Sequence, residues 1–235
     1  MKTLPVVLLI ILSIAAPAQQ QFIKTSSVTD FGYNLDLFAT SDNGFVIFST
    51  DSLKLSKFNA CGQAEWSKKF YMTSLVTSLS DFIRTSNGDF VFLSRVQNGA
   101  AYSSAITRMD GSGNLVWSKT YVDADYTHFP YTISEDQQGN IFVFSNVENI
   151  NNNVTYNLII KLNPSGNLIW TKFYDHGGIW GGAICTSDNG LLIRTGNTYI
   201  KINNAGNVQW SAIISGMGYY YKAATEVSDG FIITG

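Results

Sequence analysis

The sequence predicts an all-β protein made of repeated units of four antiparallel strands. A tryptophan motif recurs four times, and a polar turn followed by an apolar run recurs five times. The apolar runs are too short, and too often interrupted by glycine, for amphipathic helices. The motif tryptophans are 51, 53 and 40 residues apart, a period typical of a four-stranded β-propeller blade. They are Trp66, Trp117, Trp170 and Trp210.

Each unit divides into strands A to D. Strand A leads into an Asp/Asn-Gly turn, and strand B is the apolar run that follows, for example Phe45-Val46-Ile47-Phe48. Strand B is apolar at successive positions, which is typical of a strand covered on both faces, as between neighbouring blades. Strand C, a Gly-Asn turn and strand D with its tryptophan complete the unit.

The repeat domain is predicted to span residues 19–235, with a lone strand D at its start. Phe22 and Lys24 stand in register with the Trp-Ser-Lys motif, so we expect residues 20–26 to complete the last blade and close the ring. A frayed N-terminal tail is the alternative. The sequence ends inside an apolar strand, so we expect a truncated propeller of four full blades and half of a fifth. The units lie near residues 33–71, 77–121, 128–174, 180–214 and, partially, 219–235.

Residues 1–18 have the pattern of a signal peptide. Lys2 precedes the apolar run from Leu4 to Ala16, and Ala16-Pro17-Ala18 fits a cleavage site. The run is shorter than the roughly 18 residues that a membrane span needs, although an N-terminal anchor is the alternative. We therefore expect a secreted or cell-surface protein with no membrane insertion after signal cleavage.

The composition excludes some partners. Charged residues make up 14% of the chain and the formal net charge is −2, with no basic stripe or acidic run. These values argue against nucleic acid as the main partner. Two cysteines, Cys61 and Cys185, occupy unlike places in the repeat, so we expect two free thiols, with a single disulfide as the alternative.

The units resemble the Trp-containing β-propeller repeats of large secreted bacterial proteins, especially those of the Bacteroidetes group. The matching pieces are the Asp-x-Gly-aromatic run, the Lys-Leu-Asn strand end and the Gly-Asn-x-x-Trp-x-Lys motif. The repeats are also similar to the blades of quinone-dependent dehydrogenases. This resemblance, over about residues 20–235, implies the architecture and little about activity.

Variable loops indicate where a ligand binds. The A–B and C–D turns are nearly identical between units, whereas the B–C loops and D–A crossings differ, and these share one face of a propeller. Aromatic and polar residues on that face are candidates for a ligand or partner surface, with inert packing as the alternative. They are Tyr126, His128, Phe129, Asp175, His176, Trp180, Tyr219 and Tyr220.

Other patterns favour structural roles. The four motif tryptophans, with Phe22 and Lys24, are expected to fill equivalent gaps between blades. His128 and His176 lack a third ligand, and the Asp110 turn has Asn in its sister turns, so neither predicts a metal site. No cofactor is predicted either.

Catalytic motifs are missing from the sequence. Strand A segments such as residues 79–83 and 182–185 offer only Asp81 as a channel carboxylate. The leading hypothesis is therefore a binding or scaffold module without catalysis, for a protein or glycan ligand. A quinone-dependent or glycan-cleaving enzyme and a purely structural repeat remain alternatives.

Overall fold

The computed structural model describes residues 35–49, 54–69, 76–174, 181–214 and 224–233. The chain divides into two compact units, Met1–Tyr71 and Met72–Gly235. Every regular element in the described ranges is a β-strand, and each full sheet has four antiparallel strands paired in sequence order. Among the described residues, no helix is both long and apolar enough to cross a membrane.

The first unit contains one described sheet, blade 1. Its buried side chains include Val46, Phe48 and Leu55, from the middle two strands. Its strands are β1 (Leu35–Ala39), β2 (Phe45–Ser49), β3 (Lys54–Phe58) and β4 (Ala64–Lys69).

The second unit contains three four-stranded sheets and a hairpin. Blade 2 comprises β5 (Val76–Arg84), β6 (Phe90–Asn98), β7 (Ala101–Met109) and β8 (Leu115–Tyr121). Blade 3 comprises β9 (Tyr126–Glu135), β10 (Ile141–Asn149), β11 (Thr155–Leu162) and β12 (Leu168–Tyr174). Blade 4 comprises β13 (Gly181–Cys185), β14 (Leu191–Thr195), β15 (Thr198–Ile202) and β16 (Val208–Ile213). The hairpin comprises β17 (Ala224–Val227) and β18 (Gly230–Ile233).

Consecutive sheets of the second unit bury apolar seams between them. Side chains of a strand alternate between its two faces. The uninterrupted apolar run of β10 therefore contributes apolar side chains to the seams with both neighbouring blades. Ile141 and Val143 join a cluster with residues of blade 2, whereas Phe142 and Phe144 join a cluster with residues of blade 4. This packing explains why strand B is apolar at successive positions.

Polar bonds between first strands align the sheets. The Asp81 carboxylate of β5 accepts a hydrogen bond from the Ile133 amide of β9 at 2.9 Å. The Thr132 hydroxyl of β9 accepts one from the Ala183 amide of β13 at 3.0 Å. The carboxylate that sequence reasoning placed in the channel is therefore engaged in holding blade 2 to blade 3.

The C–D turns share one hydrogen-bonding arrangement. The side-chain oxygen of their first residue accepts hydrogen bonds from the amides two and four residues further on, at 2.8–3.0 Å. Asn and Asp both supply that oxygen, so the two interchange freely. Asp110 thus caps a hairpin, like Asn59, Asn163 and Asn203.

Candidate ligand-binding face

The antiparallel order places the A–B and C–D turns at one end of each blade. The B–C loops and D–A crossings lie at the opposite end, which we call the loop end. Blades 2 and 3 have the longest strands B and C, and blade 3 has the longest described B–C loop, residues 150–154. Tyr126 to Phe129 open β9 at this end, paired with the last residues of β10.

An aromatic cluster lies at the loop end of blade 3. It consists of Tyr126, Tyr156 and Phe173, from β9, β11 and β12. The ring centroids of Tyr126 and Phe173 are 5.0 Å apart, and Tyr156 meets both rings edge-on at 6.0 and 6.2 Å. The tyrosines are half-buried, whereas Phe173 is 44% exposed. The cluster therefore presents a rigid, partly open apolar surface.

A stacked guanidinium lies at the loop end of blade 2. Arg95, on β6, sits 4.5 Å from the ring centroid of Tyr102 on β7 and 5.9 Å from that of Phe129 on β9. Its Nε donates a hydrogen bond to the Thr77 hydroxyl at 3.2 Å. The Tyr102 amide also donates to the Thr127 hydroxyl at 3.0 Å, which ties blade 2 to blade 3 beside the stack.

His128 was expected on the exposed ligand face, but the structure places it inside the seam between blades 2 and 3. It is 2% exposed, because β9 begins at Tyr126 and His128 is already a strand residue. Its Nδ1 lies 3.1 Å from the Ser104 hydroxyl, which in turn lies 3.3 Å from the Ser145 hydroxyl. Its buried Nε2 has no hydrogen-bond partner among the described residues.

Burial lowers the pKa of His128 below its ordinary value, and the charge of Asp123 opposes that shift only in part. The imidazole is therefore neutral at pH 7. Since its surroundings offer hydroxyl groups rather than a carboxylate at hydrogen-bond distance, protonation would bury an unpaired charge.

Acidification is expected to destabilise the protein through His128. The pKa of His128 is lower in the folded state, so the unfolded chain binds more protons below about pH 6.5. The free energy of unfolding therefore decreases as the pH is lowered through this range. The slope for one proton is at most about 1.4 kcal/mol per pH unit. Urea unfolding of the wild type and His128→Gln between pH 7.5 and 5 should show a steeper loss for the wild type. Parallel curves would contradict this assignment.

Several predicted site residues lie outside the described residues. Phe22 and Lys24 belong to this group, as does the predicted signal peptide. The ligand-face candidates in the same position are Asp175, His176, Trp180, Tyr219 and Tyr220. Of the predicted face, the structure therefore describes Tyr126, His128 and Phe129.

Two motif tryptophans bridge consecutive sheets. Trp117 donates its indole N–H to the Pro164 carbonyl of blade 3 at 3.1 Å, and Trp170 donates to the Asn204 carbonyl of blade 4 at 3.2 Å. Trp210 packs at 6.1 Å from Phe231 of the following hairpin. Trp66 is half-buried in blade 1.

Two glycines leave room for tryptophan rings of the preceding blade. A Cβ on Gly166 would lie 2.9 Å from the Trp117 ring, and one on Gly206 would lie 3.0 Å from Trp170. Both glycines have φ of +76°, in the left-handed region. Gly166 and Gly206 therefore each shape their own turn and also leave room for the tryptophan of the preceding blade.

The structure also shows a row of buried cations that sequence reasoning missed. Near the end of each strand C a lysine or arginine pairs across the sheet with the motif tryptophan and binds a carboxylate of the A–B turn at 2.6–3.2 Å. The recurring Lys/Arg-apolar-Asn/Asp pattern was a usable signal. The cations are Lys57, Arg108, Lys161 and Lys201.

The two cysteines differ in exposure: Cys61 is exposed and Cys185 is half-buried. Cys61 and Cys185 are free thiols, and burial raises the pKa of Cys185 to about 12, so it carries no thiolate at neutral pH. Within the described ranges, no group of three or more His, Cys, Asp or Glu side chains is placed to hold a metal ion.

Blades of four antiparallel strands, packed through apolar seams and varying at their loop end, define a β-propeller protein. The chain belongs to the Arylsulfotransferase (ASST) family, whose sequence profile matches residues 32–176. A comparison with proteins of curated function gives no significant match.

Solved structures show the same fold. The chain is similar to a streptogramin B lyase, with 21% identity and a TM-score of 0.57 over 81% of this chain and 57% of that one. It is also similar to a gluconolactonase from Xanthomonas campestris, with 14% identity and a TM-score of 0.52 over 83% of this chain and 66% of that one. The chain thus spans about three fifths of the length of these proteins, and the likeness concerns the fold alone.

Proposed function

We propose that the protein is an exported binding module whose loop-end face, on blades 2 and 3, takes a glycan. The observation that carries this proposal is the aromatic cluster of Tyr126, Tyr156 and Phe173, with Phe173 44% exposed. Flat rings on a rigid scaffold are suited to stacking against the apolar faces of sugar rings. A protein ligand, the other partner predicted from the sequence, is an outcome of the test.

The charges of the loop-end face support recognition through ring contacts. Among the described residues of blades 2 and 3, this end carries Arg95 together with the acids Asp123, Asp125 and Glu148, and no run of positive charge. Exposed rings without a basic stripe favour ring contacts over attraction to a polyanion such as nucleic acid. The export assignment rests on the pattern of residues 1–18.

Removing a ring of the cluster is expected to weaken glycan binding. Phe173→Ala and Tyr126→Ala should each lower the affinity for the best-bound of immobilised pectin, xylan and mucin at least about tenfold, since exposed aromatic anchors dominate such contacts. The matched control is Leu168→Ala, since Leu168 is an exposed apolar residue of the same strand as Phe173 but at the turn end. Biolayer interferometry measures all three.

Equal losses in the control and the cluster variants would refute the binding face. Absence of binding to all three polysaccharides would refute the glycan assignment and leave a protein ligand as the remaining form of the hypothesis.

Membership of the arylsulfotransferase family favours transfer of a sulfo group as a second candidate function. A 4-nitrophenyl sulfate donor and a phenol acceptor provide the direct assay, since transfer releases one 4-nitrophenol for each phenyl sulfate formed. His128, the one histidine among the described residues, is buried with its Nδ1 beside Ser104, so it offers no open nucleophile. Turnover by the wild type would support the sulfotransferase, and turnover that survives in His128→Gln would locate catalysis elsewhere.

A further inference from the structure

Arg95, half-buried on β6, has no acidic partner among the described residues, unlike the four cations near the strand C ends. Lys57, Arg108, Lys161 and Lys201 each bind a carboxylate of a turn. Arg95 forms no ion pair with any residue in the described ranges, and its one side-chain hydrogen bond there joins Nε to the Thr77 hydroxyl. Its two Nη atoms, four N–H donors in all, are left for another acceptor.

The guanidinium is nevertheless held in place. Tyr102 and Phe129 stack against it from blades 2 and 3, and the Thr77 hydroxyl fixes Nε. Because side-chain freedom is already restricted, an incoming acceptor loses little of its binding energy to ordering the arginine. A fork of N–H donors held in this way matches the two oxygens of a carboxylate.

The blade architecture does not require an arginine at this position. Arg95 is the sixth residue counted from the first residue of strand B. The corresponding residue of blade 3 is Asn146, the sixth of β10, whereas β2 and β14 end after five residues. Arg95 is therefore not part of the repeated pattern. Because it lies toward the variable loop end of blade 2, it is available for recognition.

We propose that Arg95 is an anion subsite beside the aromatic cluster, and that the glycan carries carboxylates, as uronic acids do. This inference rests on the proposed glycan-binding function. Tyr126 of the cluster and Phe129 of the stack are three residues apart on β9, about 10 Å along the strand, so their side chains leave opposite faces of it. The cluster and the stack nevertheless adjoin, because Thr127, next to Tyr126, accepts the hydrogen bond of the Tyr102 amide. That separation lies within the span of one oligosaccharide. A sugar ring stacks on the cluster while a carboxylate of the same chain accepts two N–H bonds from Arg95.

A minimal probe tests the subsite first. Titrating benzoate into ¹⁵N-labelled protein should shift the Arg95 Nε–H resonance with a dissociation constant in the millimolar range, as expected for a small ligand. Benzamide, which has the same shape and no charge, should leave that resonance unmoved. A missing benzoate shift, or an equal shift with both probes, overturns the anion subsite.

Hexagalacturonate and its methyl ester then test the ligand class by calorimetry. The wild type should bind the acid at least about tenfold more tightly than the ester. Arg95→Gln should bind both at the level of the ester, and Arg95→Lys should keep only part of the preference because an ammonium lacks the planar fork. Arg194→Gln is the matched control, since Arg194 is also half-buried and its Nε bonds the Gly196 carbonyl.

The outcomes separate this inference from the proposed function. Equal affinities for acid and ester, with both lost in Phe173→Ala, leave the glycan-binding face standing and refute the carboxylate. A benzoate shift in a protein that prefers hexaglutamate to hexagalacturonate keeps the anion subsite but overturns the acidic glycan in favour of an acidic peptide. Loss of the acid preference in Arg194→Gln as well as Arg95→Gln refutes the assignment to Arg95.

Discussion

Replacing Asp136 with alanine is expected to lower the free energy of unfolding by about 3–5 kcal/mol, the usual effect of breaking a buried ion pair by removing one partner. The Asp136 side chain is 0% exposed and that of its partner Lys161 is 3% exposed, with 3.2 Å between Oδ2 and Nζ. The substitution leaves the ammonium in the seam with the Asn204 side chain and the Phe142 ring, neither of which is charged. It also removes the acceptor for the Gln138 and Asn140 amides.

Blade 4 provides the matched control. Asp188 binds Lys201 at 2.8 Å in the same kind of turn, but the Asp188 side chain is 46% exposed. Water replaces a lost exposed partner, so Asp188→Ala should cost only about 1 kcal/mol. Urea unfolding followed by tryptophan fluorescence compares the two. The double variant Lys161→Met with Asp136→Ala should recover part of the loss, because no charge then remains buried.

Similar losses at Asp136 and Asp188 would show that burial does not decide the strength of these pairs. A double variant no more stable than Asp136→Ala alone would place the cost in the turn, where Asp136 accepts the two amides, rather than in the buried charge.

The acidic partners of the strand C cations could not be predicted from the sequence. The cation stands at a fixed place, opposite the motif tryptophan, but the acid comes from different positions of the A–B turn in different blades. Counted from the first turn residue, Asp136 is that residue itself, Asp42 and Asp188 follow it by two, and Asp89 follows it by four. Because the acid is set by its distance from the cation and not by a fixed position in the turn, a search for repeated acids finds only Asp42 and Asp188.

The fold itself was predictable because its determinants are local. Glycine fixes each turn, and apolar runs fix the strands between turns, so counting from Gly to Trp separates strands A to D without reference to tertiary contacts. The two faces of strand B pack against different neighbouring blades, and both must be apolar. This is why strand B is an uninterrupted apolar run in the sequence.

The candidate site was less predictable because its members meet only in three dimensions. Tyr126 and Phe129 were identified from their place after a variable crossing. Tyr156 and Phe173, from later strands, join Tyr126 through sheet pairing that sequence spacing does not reveal. Arg95 is marked in the sequence by one feature: it is a charged residue within β6, an otherwise mostly apolar strand.

Trp170→Ala is expected to cost about 3 kcal/mol, less than the full value for a buried tryptophan because Trp170 is half-buried. The indole packs over Gly206, meets the Phe142 ring edge-on at 5.8 Å and donates to the Asn204 carbonyl. The Gly206 and Asn204 contacts join blade 3 to blade 4, whereas Phe142 belongs to the same sheet as Trp170 and packs into the seam between the two blades. In a repeat array, stability is a sum of repeat and neighbour terms, so this substitution removes mainly a neighbour term.

Two features of unfolding follow from that argument. Urea unfolding monitored by far-UV circular dichroism should shift to lower urea and become broader for Trp170→Ala, because weaker coupling lets blades unfold less cooperatively. Trp210→Ala is the control: Trp210 is 42% exposed and its ring packs against Phe231 of the following hairpin, so the expected loss is about 1 kcal/mol. Equal losses for the two variants would mean that the tryptophans stabilise their own sheets, and that the seams depend on the apolar strands B alone.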